Sequence, residues 1–247
     1  FQFGGVNLPP SFSFPNPIYG THPIEYASSN LWNREIGVRT DWLDRTLRLD
    51  ATIYDINWNN AQIQQVSEGA IFAGTYTDNV GKVLSRGIES TLTWLTPLPG
   101  LSLNLAGSYS RAYTAAATVN NGQSIPAGAP MPAAPPVQVA TSLAYSTYFG
   151  PWIGNAGLTY AYWSKSYSNL QKTFDIYDFG QFGINASIVR PDWTGAPSLS
   201  LGVQNLLDER GLIGRRGSTG SGTSLVGNAW SYVRPRTISL RLTAQFD

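Results

Sequence analysis

The sequence contains no cysteine and only one histidine among its 247 residues. Without thiols the chain cannot form disulfides, thiolate metal sites or a cysteine nucleophile, and one imidazole cannot build a multi-histidine metal site. The histidine, His22, stands between Thr21 and Pro23 in a proline-rich stretch, where we expect a loop.

Charge and long apolar runs are also scarce. Charged residues make up 13% of the chain and the formal net charge is +1. The chain therefore lacks the excess of basic residues that is typical of nucleic-acid-binding proteins. No apolar run reaches the roughly 18 residues that a transmembrane helix needs. Aromatic residues nevertheless account for 13% of the chain, with eight tryptophans, and such a composition argues against disorder.

The dominant hydrophobic period is two. In the last segment, from Ile238 to Phe246, apolar residues alternate with polar ones, as in a strand with one apolar and one polar face. No stretch shows a helical stripe. The pattern predicts an all-β chain with nine strands, at about 31–41, 46–58, 80–96, 101–113, 137–148, 152–163, 176–190, 197–206 and 231–246.

The connections between these strands alternate in length. Short ones cover residues 42–45, 97–100, 149–151 and 191–196, and long ones cover 59–79, 115–136, 164–175 and 207–230. Every short turn therefore falls at one end of the sheet and every long loop at the other. This asymmetry is typical of a transmembrane β-barrel, with tight periplasmic turns and long extracellular loops.

The tryptophans predict two aromatic girdles at the membrane surfaces. Those beside the short turns are Trp42, Trp94, Trp152 and Trp193, and those beside the long loops are Trp32, Trp58, Trp163 and Trp230. At about 3.3 Å per residue and a tilt of about 45°, the eleven residues from Trp152 to Trp163 rise about 25 Å, the height of the apolar band of a barrel.

The two faces of the strands are assigned from the same alternation. We expect the apolar face to meet lipid and the polar face to line a wet or plugged lumen. Predicted lipid-facing residues include Leu49, Leu103, Leu201 and Leu240. Predicted lumen residues include Glu35, Arg39, Arg48, Asp50, Glu89, Asn104, Gln204 and Arg241.

Four stretches, taken in order, resemble the C-terminal part of a TonB-dependent outer-membrane receptor. They are Asn33–Arg39, with its Glu-x-Gly-x-Arg pattern; Asn79–Glu89, ending Gly-Ile-Glu; Asn205–Asp208, Asn-Leu-Leu-Asp; and Arg234–Thr237, Arg-Pro-Arg-Thr, which opens the closing strand. The resemblance covers about residues 30–247. The family's closing strand usually ends on an aromatic residue, which Phe246 matches, although Asp247 follows it.

The resemblance implies an all-β, transmembrane antiparallel β-barrel, of which this chain supplies about nine C-terminal strands out of roughly 22. Residues 1–30 are expected to be the tail of an extracellular loop and residues 31–247 the C-terminal part of the barrel. Nine strands that end in the periplasm must begin outside, so the chain should not close on itself. The rival expectation is a tenth short strand, near Phe1–Val6 or Phe12–Phe14, that closes a small barrel.

The function implied is TonB-coupled active uptake of a scarce large solute across the outer membrane of a Gram-negative bacterium. Ferric siderophores are the first expectation, with cobalamin or an oligosaccharide as others. The implied partners are outer-membrane lipid and lipopolysaccharide, an N-terminal plug with further barrel strands, and the TonB complex acting through the plug. No catalytic residue, cofactor or metal site is implied. The alternatives are a passive pore or structural barrel and, in another class, a soluble carbohydrate-binding module.

Ligand contacts are expected in the long loops. Tyr76, Tyr167 and Phe174 lie well inside them and could stack on a planar ligand, while Arg215 and Arg216 could attract an anionic chelate. In the alternative interpretation, these arginines bind lipopolysaccharide phosphates, and Trp163 and Trp230 are anchors of the aromatic girdle. Gly214–Gly222 lacks the Gly-Lys-Ser/Thr ending of a phosphate loop, so a flexible loop is expected there.

Overall fold

An antiparallel sheet of nine strands forms the body of the molecule. The structure, a computed structural model, describes residues 1–7, 24–66, 75–120, 123–172, 174–216 and 229–245. Within these ranges there is no helix long and apolar enough to cross a membrane. The sheet strands are β1 (Asn30–Trp42), β2 (Leu47–Asn59), β3 (Val83–Leu95), β4 (Leu101–Thr114), β5 (Val137–Phe149), β6 (Trp152–Trp163), β7 (Phe179–Val189), β8 (Ser198–Gln204) and β9 (Thr237–Thr243).

Each strand pairs with the next one along the chain, so the sheet is a simple meander from β1 to β9. In the described part of the chain, β1 and β9 each have one neighbour only and do not pair with each other. The sheet is therefore an open segment of wall. Gly5–Val6 pairs with Glu25–Tyr26 rather than with β9, and Phe12–Phe14 lies outside the described residues, as does His22.

The register confirms the two predicted faces. Directly opposed residues of antiparallel neighbours point to the same side, and Ile36, Ile53, Ile88 and Tyr109 form one such row across β1 to β4. We call their side the apolar face. One residue along, the row Gly37, Thr52, Glu89 and Ser108 lies on the other side, the polar face. All the residues predicted to face lipid lie on the apolar face, and all those predicted to face the lumen lie on the polar face.

The prediction of one continuous last strand over residues 231–246 is wrong. Ala229–Tyr232 leaves the sheet and pairs with Leu212–Arg216 in the preceding loop, and β9 begins only at Thr237. Pro235 explains the interruption, because it has no N–H to give to a neighbouring strand. Phe246 and Asp247 lie outside the described residues.

Among the tryptophans whose side chains the structure describes, only those beside the short turns form a clear girdle; the side chain of Trp230 lies outside the described part. Trp42, Trp94 and Trp152 lie on the apolar face at the ends beside the short turns, and Trp152 packs against Trp193 with ring centroids 6.0 Å apart. At the other end, Trp32 lies on the apolar face, but Trp58 and Trp163 share the polar face. The alternation of side chains along a strand explains the placement of Trp58 and Trp163. Each lies an odd number of residues from the apolar-face positions of its strand, so its side chain points to the polar face.

The long loops contain hairpins of their own. Besides the pairings above, three small antiparallel pairs lie in them: Gln62–Val66 with Thr75–Asn79, Thr118–Asn120 with Gln123–Ile125, and Ser166–Tyr167 with Asp175–Ile176. The loop expected at Gly214–Gly222 is a strand as far as Arg216, and its remainder lies outside the described residues.

Candidate functional site: the loop end of the wall

Three long loops share one small hydrophobic core at their base. Ala61 and Val80 from the first loop, Ile125 and Ala129 from the second, and Leu170 from the third are all at most 3% exposed. This core packs on Val83 at the start of β3 and on the Trp58 ring. Both of those residues lie on the polar face, so the loops fold over that side of the wall.

The N-terminal segment is bound to the first loop by amide contacts. Asn7 donates from Nδ2 to the Thr77 carbonyl at 2.8 Å, and its Oδ1 accepts from the Thr77 amide at 2.7 Å. The Asn79 side chain likewise accepts from the Ala27 amide at 2.6 Å and donates to the Ala27 carbonyl at 3.1 Å. These bonds extend the loop layer beyond the nine-stranded sheet.

A cavity of about 570 Å³ opens between the third and fourth long loops. It combines aromatic rings with charges of both signs. Its walls include Lys172, Phe174, Asp175, Tyr177, Glu209 and Arg210. Rings beside charged groups suit a ligand that is partly planar and partly ionic.

One wall of this cavity is ordered around Lys165. Its Nζ lies 2.7 Å from Asp175 Oδ2 and sits over the Tyr167 and Tyr177 rings at 5.5 and 5.7 Å from their centroids. The hydrogen bond to Asp175 raises the pKa of Lys165 above its ordinary value. The Nζ of Lys172 also lies over the Tyr167 ring, 5.2 Å from its centroid. Two cations therefore lie near the Tyr167 ring.

The opposite wall is fixed by the Asn-Leu-Leu-Asp stretch. The Asn205 side chain, 5% exposed as a residue, donates to the carbonyls of Glu209 and Arg234 at 2.9 and 2.8 Å. Asp208 Oδ1 accepts from the Arg236 amide at 2.9 Å, and Arg210 lies 3.1 Å from its other oxygen. The Arg236 amide is the main cause that lowers the pKa of Asp208. This stretch therefore joins the two ends of the fourth loop.

The sequence-predicted ligand residues fall in different surroundings. Phe174 lines the cavity, and Tyr167 belongs to the cation-bearing wall. Tyr76 is only 5% exposed. Arg215 and Arg216 lie on Leu212–Arg216, the strand that pairs with Ala229–Tyr232, and their side chains are outside the described part. The role of all five in binding stays a prediction.

Sequence reasoning missed Asp175, Tyr177, Glu209 and Arg210. They come from two loops about thirty residues apart in sequence and carry no motif, so only the pairing of the loop strands brings them together. Among the described residues, no three His, Asp or Glu side chains are grouped so as to hold a metal ion.

Below the loops, the polar face carries a ladder of ion pairs near the short-turn end. Arg39 binds Asp50, and Arg48 Nε lies 3.5 Å from Asp50 and 3.7 Å from Asp41. These residues alternate in sign across β1 and β2, which lets a polar wall carry charge with little repulsion. The remaining positions of this face are mostly small polar residues.

A meandering wall with one apolar face, one polar face, short turns at one end and structured loops at the other is the architecture of a transmembrane β-barrel. The chain belongs to the TonB-dependent receptor-like β-barrel family, whose family model matches residues 12–206. This confirms the predicted family and fold class. A search of curated protein sequences finds no match.

Solved structures with the same fold are receptors and transporters. The ferric yersiniabactin uptake receptor FyuA from Yersinia pestis superposes with a TM-score of 0.67 at 16% identity, over 90% of this chain and 31% of its own. The siderophore receptor PiuA from Acinetobacter baumannii gives 0.61 at 18% identity, over 87% and 28%. The ferric citrate transporter FecA gives 0.60 at 19% identity, over 87% and 31%.

This chain spans less than a third of the length of these neighbours. None of them is an enzyme, which agrees with the expectation that the chain carries no catalytic centre.

Proposed function

We propose that the chain is the C-terminal part of an outer-membrane receptor that takes up a scarce large solute by TonB-coupled active transport in a Gram-negative bacterium. In this proposal residues 31–247 are barrel wall and residues 1–30 belong to an extracellular loop. The apolar face meets lipid, and the polar face meets a plug supplied by sequence outside this chain. The TonB complex acts on that plug.

The observation that carries the proposal is the structured loop layer on the polar face. A passive pore needs an open lumen, whereas here three loops share a buried core that lies over that side. The cavity beside this core gives a solute a place to bind before transport. The loop layer thus supports a receptor over a passive pore.

The chemistry of the cavity supports an aromatic or anionic chelate as the solute. Phe174 and Tyr177 offer ring faces, while Lys172 and Arg210 offer cations. A ferric siderophore presents metal-chelating groups that are planar, charged or both, and is our first choice over cobalamin or an oligosaccharide. Tyr167, Arg215 and Arg216 would extend this site, and Tyr76 would reach a solute only after its hairpin opens, because it is buried.

The test is uptake by cells that carry the complete receptor, with and without a functional TonB. Probes are a ⁵⁵Fe-loaded catecholate siderophore, ⁵⁵Fe-citrate and labelled cyanocobalamin. We expect one probe to bind at the surface in both strains and to enter only when TonB works. Equal entry in both strains would identify a passive pore and overturn the proposal.

The loop site is tested separately with Phe174→Ala and Tyr167→Ala. Truncating a stacking ring should weaken probe binding by about tenfold, the equivalent of about 1.4 kcal/mol. Tyr148→Ala is a matched control, since Tyr148 is 78% exposed at the short-turn end of β5. Unchanged affinity in both loop variants would place recognition in the plug or in other loops.

A further inference from the structure

One row of the apolar face is charged. Arg34, Asp55, Arg86 and Arg111 oppose one another in register across β1 to β4. They share the face of Ile36, Ile53, Ile88 and Tyr109, which form the row two residues nearer the short turns and are 74%, 53%, 44% and 51% exposed. On the lipid side of a barrel wall, ionised groups are costly unless they have partners.

The row has an excess of positive charge that its own carboxylate does not neutralise. Three arginines face one aspartate. Both oxygens of Asp55 are engaged, Oδ1 by Arg86 Nε at 2.6 Å and Oδ2 by Asn57 Nδ2 at 2.8 Å. Neither Arg34 nor Arg111 lies within salt-bridge distance of a carboxylate among the described residues, and Arg34 interacts with Asp55 only at longer range.

Arg86 and Arg111 are placed so that both could bind the same external anion. Arg86 and Arg111 stand directly opposite each other on adjacent strands, where like charges repel. The Arg111 guanidinium lies over the Tyr113 ring, 5.0 Å from its centroid, which orients it. The Arg86 side chain remains 62% exposed despite its bond to Asp55. An anion bound between the two arginines would relieve their repulsion.

The height of the row identifies the compartment. Arg86 lies eight residues from Trp94 on β3, a rise of about 19 Å at about 3.3 Å per residue and a tilt of about 45°. The apolar band of a barrel is about 25 Å tall. The row therefore lies just below the outer surface, within reach of long arginine side chains that extend to the headgroups. Trp32 lies two residues beyond Arg34 on β1, on the same face and farther from the short turns, and is 68% exposed.

We infer that Arg34, Arg86 and Arg111 form a binding site for the phosphate groups of an outer-leaflet glycolipid on the outside of the barrel wall. Guanidinium groups bind phosphate through paired hydrogen bonds, and lipid phosphates occur at this height. The site spans β1 to β4, a width of about 14 Å at about 4.8 Å per strand, enough for two phosphates on one headgroup. This inference rests on the membrane placement in the proposed function, and it adds a site that the solute does not use.

The test uses the complete receptor in detergent, with bisphosphorylated lipid A and phosphate-free lipid A as probes. The variant R34Q/R86Q/R111Q should bind bisphosphorylated lipid A at least about tenfold more weakly, because charge-assisted bonds are lost. Phosphate-free lipid A should bind wild type and variant equally. The control R241Q removes an arginine from the polar face and should leave both affinities unchanged.

Several outcomes would overturn the inference: equal affinity of wild type for both lipids, an unchanged triple variant, or an equal loss in R241Q. Displacement of lipid A by inorganic phosphate at the same concentration would instead identify a free-anion site. If the triple variant fails to fold, as judged by heat-modifiable mobility, R111Q alone is measured against the same lipids. Solute binding is measured on each sample, so a failure of the uptake proposal leaves the lipid result readable.

Discussion

At the scale of single residues, position on the wall decides what a side chain can be. Ile88 and Glu89 are neighbours in sequence, yet the first lies 44% exposed on the apolar face and the second lies on the polar face. The same substitution should therefore destabilise the protein far more on the apolar face than on the polar face. Depth along the strand should modulate the effect further.

Arginine substitutions test this dependence on face and depth. Ile88 is six residues, or about 14 Å of rise, from Trp94, close to the middle of the apolar band. Ile88→Arg should lower the free energy of unfolding by about 2–4 kcal/mol, whereas Leu103→Arg, opposite Trp94, should cost about 0–1 kcal/mol. Urea unfolding of the complete receptor in phospholipid vesicles measures both.

The matched control is Ser108→Arg, on the polar face opposite Glu89. This substitution should change the free energy of unfolding only slightly, since Glu89 provides an opposite charge on the neighbouring strand. A loss at Ser108 as large as that at Ile88 would contradict the assignment of faces.

Asp208 provides a pH-dependent prediction. Its pKa lies below the ordinary 3.8, chiefly because its carboxylate accepts the Arg236 amide, with Arg210 nearby. A lowered pKa means that the carboxylate's contribution is present above about pH 4 and is lost as the pH falls through the lowered value. Hydrogen exchange at the Arg236 amide, corrected for its intrinsic rate, should therefore lose protection in that acid range.

Asp208→Asn removes the titrating group and keeps an acceptor oxygen. Protection of the Arg236 amide should then no longer change between pH 2.5 and 5, a window placed about the ordinary carboxyl pKa. If wild type shows no pH dependence either, Asp208 does not hold the fourth loop in the way the hydrogen bond indicates.

At the scale of elements, the short turns and the loops are built by different means. The turn between β3 and β4 depends on Gly100, whose φ is +82° and whose missing Cβ would lie 1.9 Å from the Ser146 carbonyl oxygen on β5. By contrast, Gly81, at φ +77°, would place a Cβ in open space. At Gly87 an added Cβ would meet the Tyr109 carbonyl oxygen and the Tyr54 hydroxyl, so this glycine allows the close approach of both groups.

Alanine substitutions at Gly81 and Gly100, two of the positive-φ glycines, separate backbone strain from crowding. Both Gly81→Ala and Gly100→Ala should pay about 1–2 kcal/mol for the left-handed conformation. Gly100→Ala should cost more, because backbone atoms of β5 must also move. Chemical unfolding followed by tryptophan fluorescence compares them, and equal losses would show that β5 does not press on this turn.

At the scale of the whole molecule, the wall is open at both sides. The outer edges of β1 and β9 find no partner in the described part of the chain. Unpaired backbone groups at membrane depth cost several kcal/mol each. An open sheet of this kind is stable in a membrane only when other strands complete the barrel.

We therefore expect these 247 residues, expressed alone, to aggregate rather than form a sealed barrel. Electrophoresis with and without boiling checks this, since closed barrels change mobility on heating. Co-expression with the further barrel strands of the proposed receptor should give the heat-modifiable form. A heat-modifiable barrel from this chain alone would contradict the prediction and favour the rival small barrel.

The sequence by itself determined the strands, their faces and the alternation of short and long connections. These features are local: a period of two fixes which side chains share a face, and turn residues fix where a strand ends. The positions of β1 to β8 and the lipid-facing leucines were therefore predictable, as was the family, from motifs that stay contiguous in the chain.

Only the tertiary structure decided what depends on register between distant segments. The charged row on the apolar face exists because β1 to β4 align Arg34, Asp55, Arg86 and Arg111, which are spread over 78 positions of the sequence. The cavity likewise depends on pairing within two separate loops. Its lining residues Asp175 and Arg210 come from two loops about thirty residues apart, and no local sequence pattern encodes which loops lie side by side.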